Sequence, residues 1–234
     1  MVKLHDFIEW LRLSGDKVDE NHYGEAYFEG RGSNYWWTVG SYENFRHFPH
    51  WKEMLDLILE FKRNGNLLDI GCAYGLLVNA ASIYFESYGI DISQFAIEKS
   101  KRYCKGNISR ASAVYLPFKN ESFEVVTIVD TLEHVPDLNW CLKDIVRILK
   151  RNGILFLQLP NPLVWHLFGR LGMGDETHAN DFRLKQWASI LMKHGLRVEK
   201  CLGMVSYSFR KTPLFVKSEK AKSLFPELWI IAKK

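Results

Sequence analysis

From Trp51 onward the chain alternates short apolar runs with segments of helical periodicity, and this alternation constrains its fold more than any other feature. Trp51, Leu55, Ile58, Leu59 and Lys62 recur at helical spacing and predict a helix over 50–63. Leu67-Leu68-Asp69-Ile70 opens onto Gly71 and Gly75, which predicts a buried strand and a turn. Leu76 to Phe85 reads as a helix and Ser87 to Ile92 as a strand carrying an aspartate at its end. Gln94 to Tyr103 reads as a helix capped by Ser93. Phe123 to Val129 is β-branched and apolar, so a strand, and Leu138 to Leu149 is helical. Ile154 to Leu159 is a strand stopped by Pro160 and Pro162. Leu184 to His194 is a helix closed by Gly195, and Leu196 to Leu202 and Leu228 to Ala232 are the final strands.

Strands alternating with helices build βαβ units and a parallel sheet, and right-handed crossovers place helices on both faces. The expected architecture is α/β: a Rossmann-like, mostly parallel, seven-stranded sheet. Ligands of such sheets bind outside the carboxyl ends of the strands, so the loops after Ile70, Ile90, Val129 and Leu159 should converge on one crevice. Residues 1–50 differ in texture. Tyr23, Tyr27, Phe28, Tyr35, Trp36, Trp37, Tyr42, Phe45 and Phe48 are too dense for a solvated linker. They predict an aromatic N-terminal cap or lid on a domain spanning 51–234.

A length of 234 residues fits one such domain with a decorated end, and a net charge of +4 is too mild and too dispersed to mark a nucleic-acid surface. The basic clusters Lys99, Lys101, Arg102, Lys105 and Arg147, Lys150, Arg151 fall at helix ends, where cations suit the helix dipole. Cys72, Cys104, Cys141 and Cys201 have no metal-ligand spacing and suggest reduced thiols in a cytoplasmic protein. Lys3, Asp6 and Glu9 break any apolar run at the start, which argues against a signal peptide, and no stretch approaches the ~18 apolar residues of a membrane span.

The loop after the first strand reads Asp69-Ile70-Gly71-Cys72-Ala73-Tyr74-Gly75, a GxxxG spacing rather than the GxGxxG of dinucleotide sites. Glycines there let the backbone approach a ligand closely. Asp91 ends the second strand, where a carboxylate accepts from ribose hydroxyls and repels a phosphorylated ribose. The pair predicts an adenosine-like ligand without a phosphate and disfavours an NAD-dependent oxidoreductase.

Leu67 to Gly75, Tyr88 to Ser93, Tyr115-Leu116-Pro117-Phe118 with Ser122-Phe123-Glu124, Leu132-Glu133-His134-Val135, and Leu149 to Pro162 resemble the successive motifs of the class I S-adenosylmethionine-dependent methyltransferases. The subgroup most resembled includes the ubiquinone-biosynthesis O-methyltransferases, over roughly residues 60–200. The resemblance implies S-adenosylmethionine as cofactor. Asp69, Gly71, Cys72, Ala73 and Gly75 would line its amino-acid end, and Asp91 would hold the ribose with Ile92 against the adenine. Ser112 and Ala113 would meet the adenine edge, and Asp130, Thr131 and Leu132 the sulfonium end. Ser112 departs from the family, which usually has an aspartate there; a serine hydroxyl can still accept a hydrogen bond.

Methyl transfer is an in-line displacement, so the protein must mainly align the reactants, and a hydroxyl or ammonium acceptor must also lose a proton. His134, beside Glu133 just past a strand end, is the candidate base. Asp130, Glu133 and His134 could instead hold a divalent metal, and the resemblance points the same way, although no metal is assigned. His178, in the polar stretch Gly174-Asp175-Glu176-Thr177-His178, lies where the family often has a histidine near the acceptor. There is no tetrapeptide of the kind used by enzymes that methylate bases, which leaves a small-molecule acceptor, with O-, N- and C-methylation all open. The alternative is a non-catalytic S-adenosylmethionine-binding module of the same fold.

Overall fold

The computed structural model describes residues 20–29, 41–164, 178–209 and 212–234. Its strands are β1 (Asn66–Ile70), β2 (Glu86–Asp91), β3 (Asn107–Arg110), β4 (Phe123–Val129), β5 (Leu149–Pro160), β6 (Arg197–Phe209), β7 (Thr212–Ser218) and β8 (Glu227–Lys233). They form one sheet in the order β3-β2-β1-β4-β5-β8-β6-β7. The first five are parallel, and β8 enters antiparallel between β5 and β6. Strand order reverses between β1 and β4, which puts a crevice over their carboxyl ends.

The sheet has eight strands, not the expected seven. The addition is β7, an edge strand paired antiparallel with β6 from Gly203↔Ser218 to Phe209↔Thr212. β3 gave no apolar signal because none of its four residues is buried.

The helices are α1 (Glu25–Glu29), α2 (His50–Leu59), α3 (Leu76–Ala81), α4 (Gln94–Tyr103), α5 (Leu138–Ile148) and α6 (Leu184–Lys193). Local chemistry sets their ends. The Ser93 hydroxyl accepts from Ala96 N at 3.0 Å and starts α4, and Asp137 accepts from Trp140 N at 2.9 Å and starts α5. Gly195 ends α6 at φ +80, with Gly195 N donating to Met192 O and Leu196 N to Leu191 O, both at 3.0 Å. α3 stops four residues short of Phe85, because the chain turns after Ala81 to enter β2; Phe85 is buried all the same.

Period-two alternation sorts the strands onto two cores. Leu68, Ile70, Val126, Ile128, Leu155, Leu157, Ile230 and Ala232 join α5 and α6 on one face. Leu67, Val125, Ile154, Phe156, Trp229 and Ile231 join α2, α3 and the N-terminal aromatics on the other. The basic clusters have structural duties: Arg147 pairs with Asp144 at 2.5 Å and donates to Phe118 O and Leu116 O, holding the loop that precedes β4.

Gly71, at φ +75, allows a close approach between the loops after β1 and β4. A Cβ there would lie 2.1 Å from Thr131 Oγ1 and 2.6 Å from its Cγ2. Gly71→Ala should therefore destabilise the chain by more than the about 1–2 kcal/mol of a left-handed non-glycine residue. Denaturant unfolding of Gly71→Ala, Thr131→Ala and the pair should show non-additivity in which Thr131→Ala recovers part of the loss. Strict additivity would mean that the two loops do not touch.

Candidate cofactor and acceptor site

The end of β2 organises the crevice. Gly71 N and Cys72 N both donate to Ile90 O, at 2.8 and 3.0 Å, and Gly75 N donates to Cys72 O. Asp91 accepts from Ala73 N on one oxygen and from Ser93 N on the other, each at 2.8 Å. The N–H groups of Gly71, Cys72, Ala73 and Gly75 are thus committed inside the protein, whereas a phosphate cradle would leave them free. Ala73 takes φ +46 within this loop and Asp130 takes φ +44 at the end of β4. Left-handed non-glycine residues are strained and tend to gather at functional positions.

Three acids surround the space. Asp69 is buried and accepts from Thr127 Oγ1 at 2.7 Å; burial, with the Asp91 charge adding to it, pushes its carboxyl up to about 7. Burial also raises Asp91, against the pull of its backbone donors. Asp130 is pushed up to about 6 by burial, offset by the hydrogen bond it accepts from Gln158 Nε2 at 2.6 Å and by the His178 charge. Gln158 in turn accepts from Trp229 Nε1 at 2.7 Å, which fixes Asp130 through a chain crossing β4, β5 and β8. Neither Gln158 nor Thr127 stood out in the sequence; the detectable signal was a polar residue on the inward face of an otherwise apolar strand.

The remaining sequence candidates divide. Cys72 is buried and its sulfur packs toward Gly89, where an added Cβ would come within 2.8 Å of it. A Cβ at Gly75 would meet Ile108 and Cys104, so that glycine also serves packing. Ile92 and Ala113 are partly exposed near the end of β2 and after β3. The Ser112 hydroxyl accepts from Val114 N at 3.4 Å and so shapes its own turn. Thr131 donates to Val129 O at 2.9 Å. The Leu132 side chain packs in the hydrophobic core beside these residues.

Glu133 and His134 are both buried, on a 3-10 turn after β4. Ala179 N and Asn180 N donate to Glu133 O, and the Asn180 amide donates to Leu132 O and Val135 O at 3.1 and 2.7 Å. This clamp brings His178 to the site, its ring 5.0 Å from that of His134. Ligand atoms of Glu133, His134 and His178 lie within 4.8 Å of one another, a donor set that suits a divalent cation. The expected triplet thus exchanges Asp130 for His178. Gly174 to Thr177 lie outside the described residues.

The N-terminal aromatics pack against the loops that follow β1, β2 and β4. Tyr42 is buried with its ring 5.0 Å from that of Tyr74, and burial, with the nearby acids adding to it, raises its hydroxyl well above its ordinary range. Tyr23 meets the His134 ring at 6.2 Å, and its carbonyl accepts from the Ser93 hydroxyl at 2.5 Å. Glu29 accepts from Tyr74 and Lys99, at 3.1 and 2.6 Å, and secures α1. Tyr35, Trp36 and Trp37 lie outside the described residues. All four cysteines are free and burial raises each thiol, which makes them poor nucleophiles.

Asp91 does more than its sequence position implies, because it staples two loops. Asp91→Ala leaves two N–H groups without their acceptor and should cost the ligand-free chain about 1–3 kcal/mol in urea unfolding. A variant as stable as the wild type would confine Asp91 to ligand binding.

Comparison with known proteins accords with this geometry. Residues 68–157 match the family described as methyltransferase domain. The demethylmenaquinone methyltransferase of Bacillus licheniformis is 27% identical over 133 residues, 53% of this chain and 57% of that protein. The ubiquinone biosynthesis O-methyltransferase of Pelagibacter ubique is 36% identical over 105 residues, 42% of this chain and 43% of that protein. The chain thus spans about half the length of these relatives. A solved S-adenosylmethionine-dependent methyltransferase from Archaeoglobus fulgidus superposes with a TM-score of 0.64 at 21% identity, covering 86% of this chain and 97% of that one, which is a likeness of fold. Residues 68–157 thus match a methyltransferase domain, and the sheet topology is the fold it shares with the solved methyltransferase.

Proposed function

We propose that the chain transfers the methyl group of S-adenosylmethionine to a small-molecule acceptor. The observation that carries this reading is the pairing of committed loop N–H groups with two buried acids, Asp69 and Asp91, and the half-buried Asp130. Such a crevice disfavours phosphate and suits a cationic nucleoside. The cofactor supplies an electrophilic methyl on a sulfonium; the protein's contribution is binding, orientation and proton removal. Asp91 holds the ribose, with Ile92 and the Ser112–Ala113 turn at the adenine. Asp69, with the backbone of Gly71 to Gly75, takes the amino-acid end, and Asp130 and Thr131 flank the sulfonium end. His134 accepts the acceptor's proton, oriented by Glu133, and with His178 these residues fit a divalent cation that could bind the acceptor instead. The segments 20–29 and 41–48 act as a lid that excludes water.

The quinone-related names of the relatives support a small organic acceptor and leave the methylated atom open. Among the described residues no helix is long and apolar enough to cross a membrane.

Two experiments test this reading. His134→Ala should cut turnover by about 10²–10⁴-fold with cofactor affinity intact. Chelation that abolishes activity, restored by a divalent ion, would assign the cluster to a metal. Full activity in both tests would leave His134 without a chemical role.

The second experiment uses pH. The folded chain holds Asp69 and Asp130 protonated up to about 7 and about 6, whereas unfolded carboxylates release their protons near ~4. The cofactor-free chain should therefore lose stability as pH rises through this window. S-Adenosylmethionine, being a cation, favours the ionised acids, so calorimetry should show its affinity rising over the same window, with the rise reduced in Asp69→Asn. A flat profile in the wild type would remove the buried acids from cofactor binding.

A further inference from the structure

β8 is antiparallel to β5, so its first residue, Glu227, stands at the crevice end of the sheet. Glu227 shares a face with Trp229 and Ile231, the face on which β1, β4 and β5 carry Asp69, Thr127 and Gln158. Its lateral neighbours are Pro160 on β5 and Met204 on β6. Neither side chain can donate a conventional hydrogen bond. Glu227 Oε2 is sealed from solvent and, among the described residues, has no hydrogen-bond partner.

The placement is built, not incidental. Asn161, itself buried, accepts nothing from this strand but ties its approach: Asn161 N donates to Pro226 O at 2.7 Å, and the side-chain amide donates to Phe225 O at 2.8 Å and Ser223 O at 3.1 Å. Asp130 lies close enough that its charge adds to burial in pushing the Glu227 carboxyl well above the usual carboxylate range. No lysine or arginine among the described residues forms an ion pair with either acid; His178 is a counter-charge acting on Asp130. Two neighbouring carboxyls in so poorly hydrated a corner cannot both ionise at low cost unless something of opposite charge completes the site.

We propose that Glu227 and Asp130 form an acidic pair that binds the ammonium group of the methyl acceptor, so that the acceptor is a small amine and not a neutral alcohol or phenol. This deepens the methyltransferase reading and rests on it for the word acceptor. An ammonium brings three donors and a positive charge, enough to engage both carboxyls and relieve their repulsion, whereas a hydroxyl brings one donor and no charge.

The test uses two probes that differ only in the polar group, phenethylamine and 2-phenylethanol, titrated by calorimetry into the full chain with and without saturating S-adenosylhomocysteine. The amine should bind at least about tenfold more tightly than the alcohol, and E227Q should remove most of that preference. E227D, which keeps the charge, should retain the preference and covers the case in which E227Q fails to fold, judged by circular dichroism. Equal binding of the two probes, no measurable amine binding, or a preference untouched in folded E227Q overturns the proposal. S-Adenosylhomocysteine binding is read separately in wild type and E227Q. If it fails while amine selectivity persists, the methyltransferase reading falls and the amine site stands.

Discussion

The buried carboxylate of Asp91 joins the two loops that frame the crevice at the ends of β1 and β2. One oxygen holds Ala73 at the glycine loop and the other holds Ser93 at the start of α4. Beside it, the Ile90 carbonyl takes two further N–H groups from the same loop. With these bonds in place the loop can hold Gly71 and Ala73 at left-handed dihedrals, and Gly71 can let Thr131 approach from β4. Remove the acceptors at the end of β2, and the β1 and β4 loops lose the contact that sets their spacing. The ligand-binding surface is therefore a product of strand-end chemistry, more than of the loops' own preferences.

The same region accumulates costs. Asp69, Asp91, Asp130 and Glu227 are all raised by burial, and Asp130 is strained as well. A chain can carry such a site because the rest of the sheet is covered on both faces by well-buried apolar side chains. The polar residues that support the acids, Thr127, Gln158 and Trp229, sit at the top of those faces and give up little apolar contact below. Stability is thus supplied by the sheet's lower rows and expended at its carboxyl edge, which is where an α/β fold places ligands.

Much of this half was legible in the sequence because its signals are local. Ser93 caps α4, Gly195 ends α6, and the run from Asp69 to Asp91 gives strand, turn, helix and acid within a short span. β3 and β7 were missed for a physical reason: edge strands need no continuous apolar face, so period-two patterning is weak there. Gly71 reads in the sequence as making room for a ligand, and its missing Cβ also makes room for Thr131. That second role depends on a loop arriving from another strand, and no local pattern carries it. Leu132 opens the 3-10 turn after β4, with its side chain in the core.

The acceptor half is harder to read, and the cause is the reversal of β8. In the parallel strands, crevice residues follow a strand's apolar run, so Asp91 and Asp130 announce themselves by position. In β8 the direction is opposite, and the crevice residue precedes the run, as Glu227 does before Leu228 to Ala232. It then reads as an ordinary polar residue in a turn. His178 reaches the site only through the Asn180 clamp, and Tyr42 only through an N-terminal segment folded across the sheet. The residues proposed for the cofactor thus fall between positions 69 and 131, inside the stretch that matches the methyltransferase domain. The groups proposed to meet the acceptor come from positions 178 and 227, both far in sequence from the glycine loop. A fold of this kind can keep its cofactor while changing what it methylates, and for the acceptor the chain has to be read from those scattered side chains.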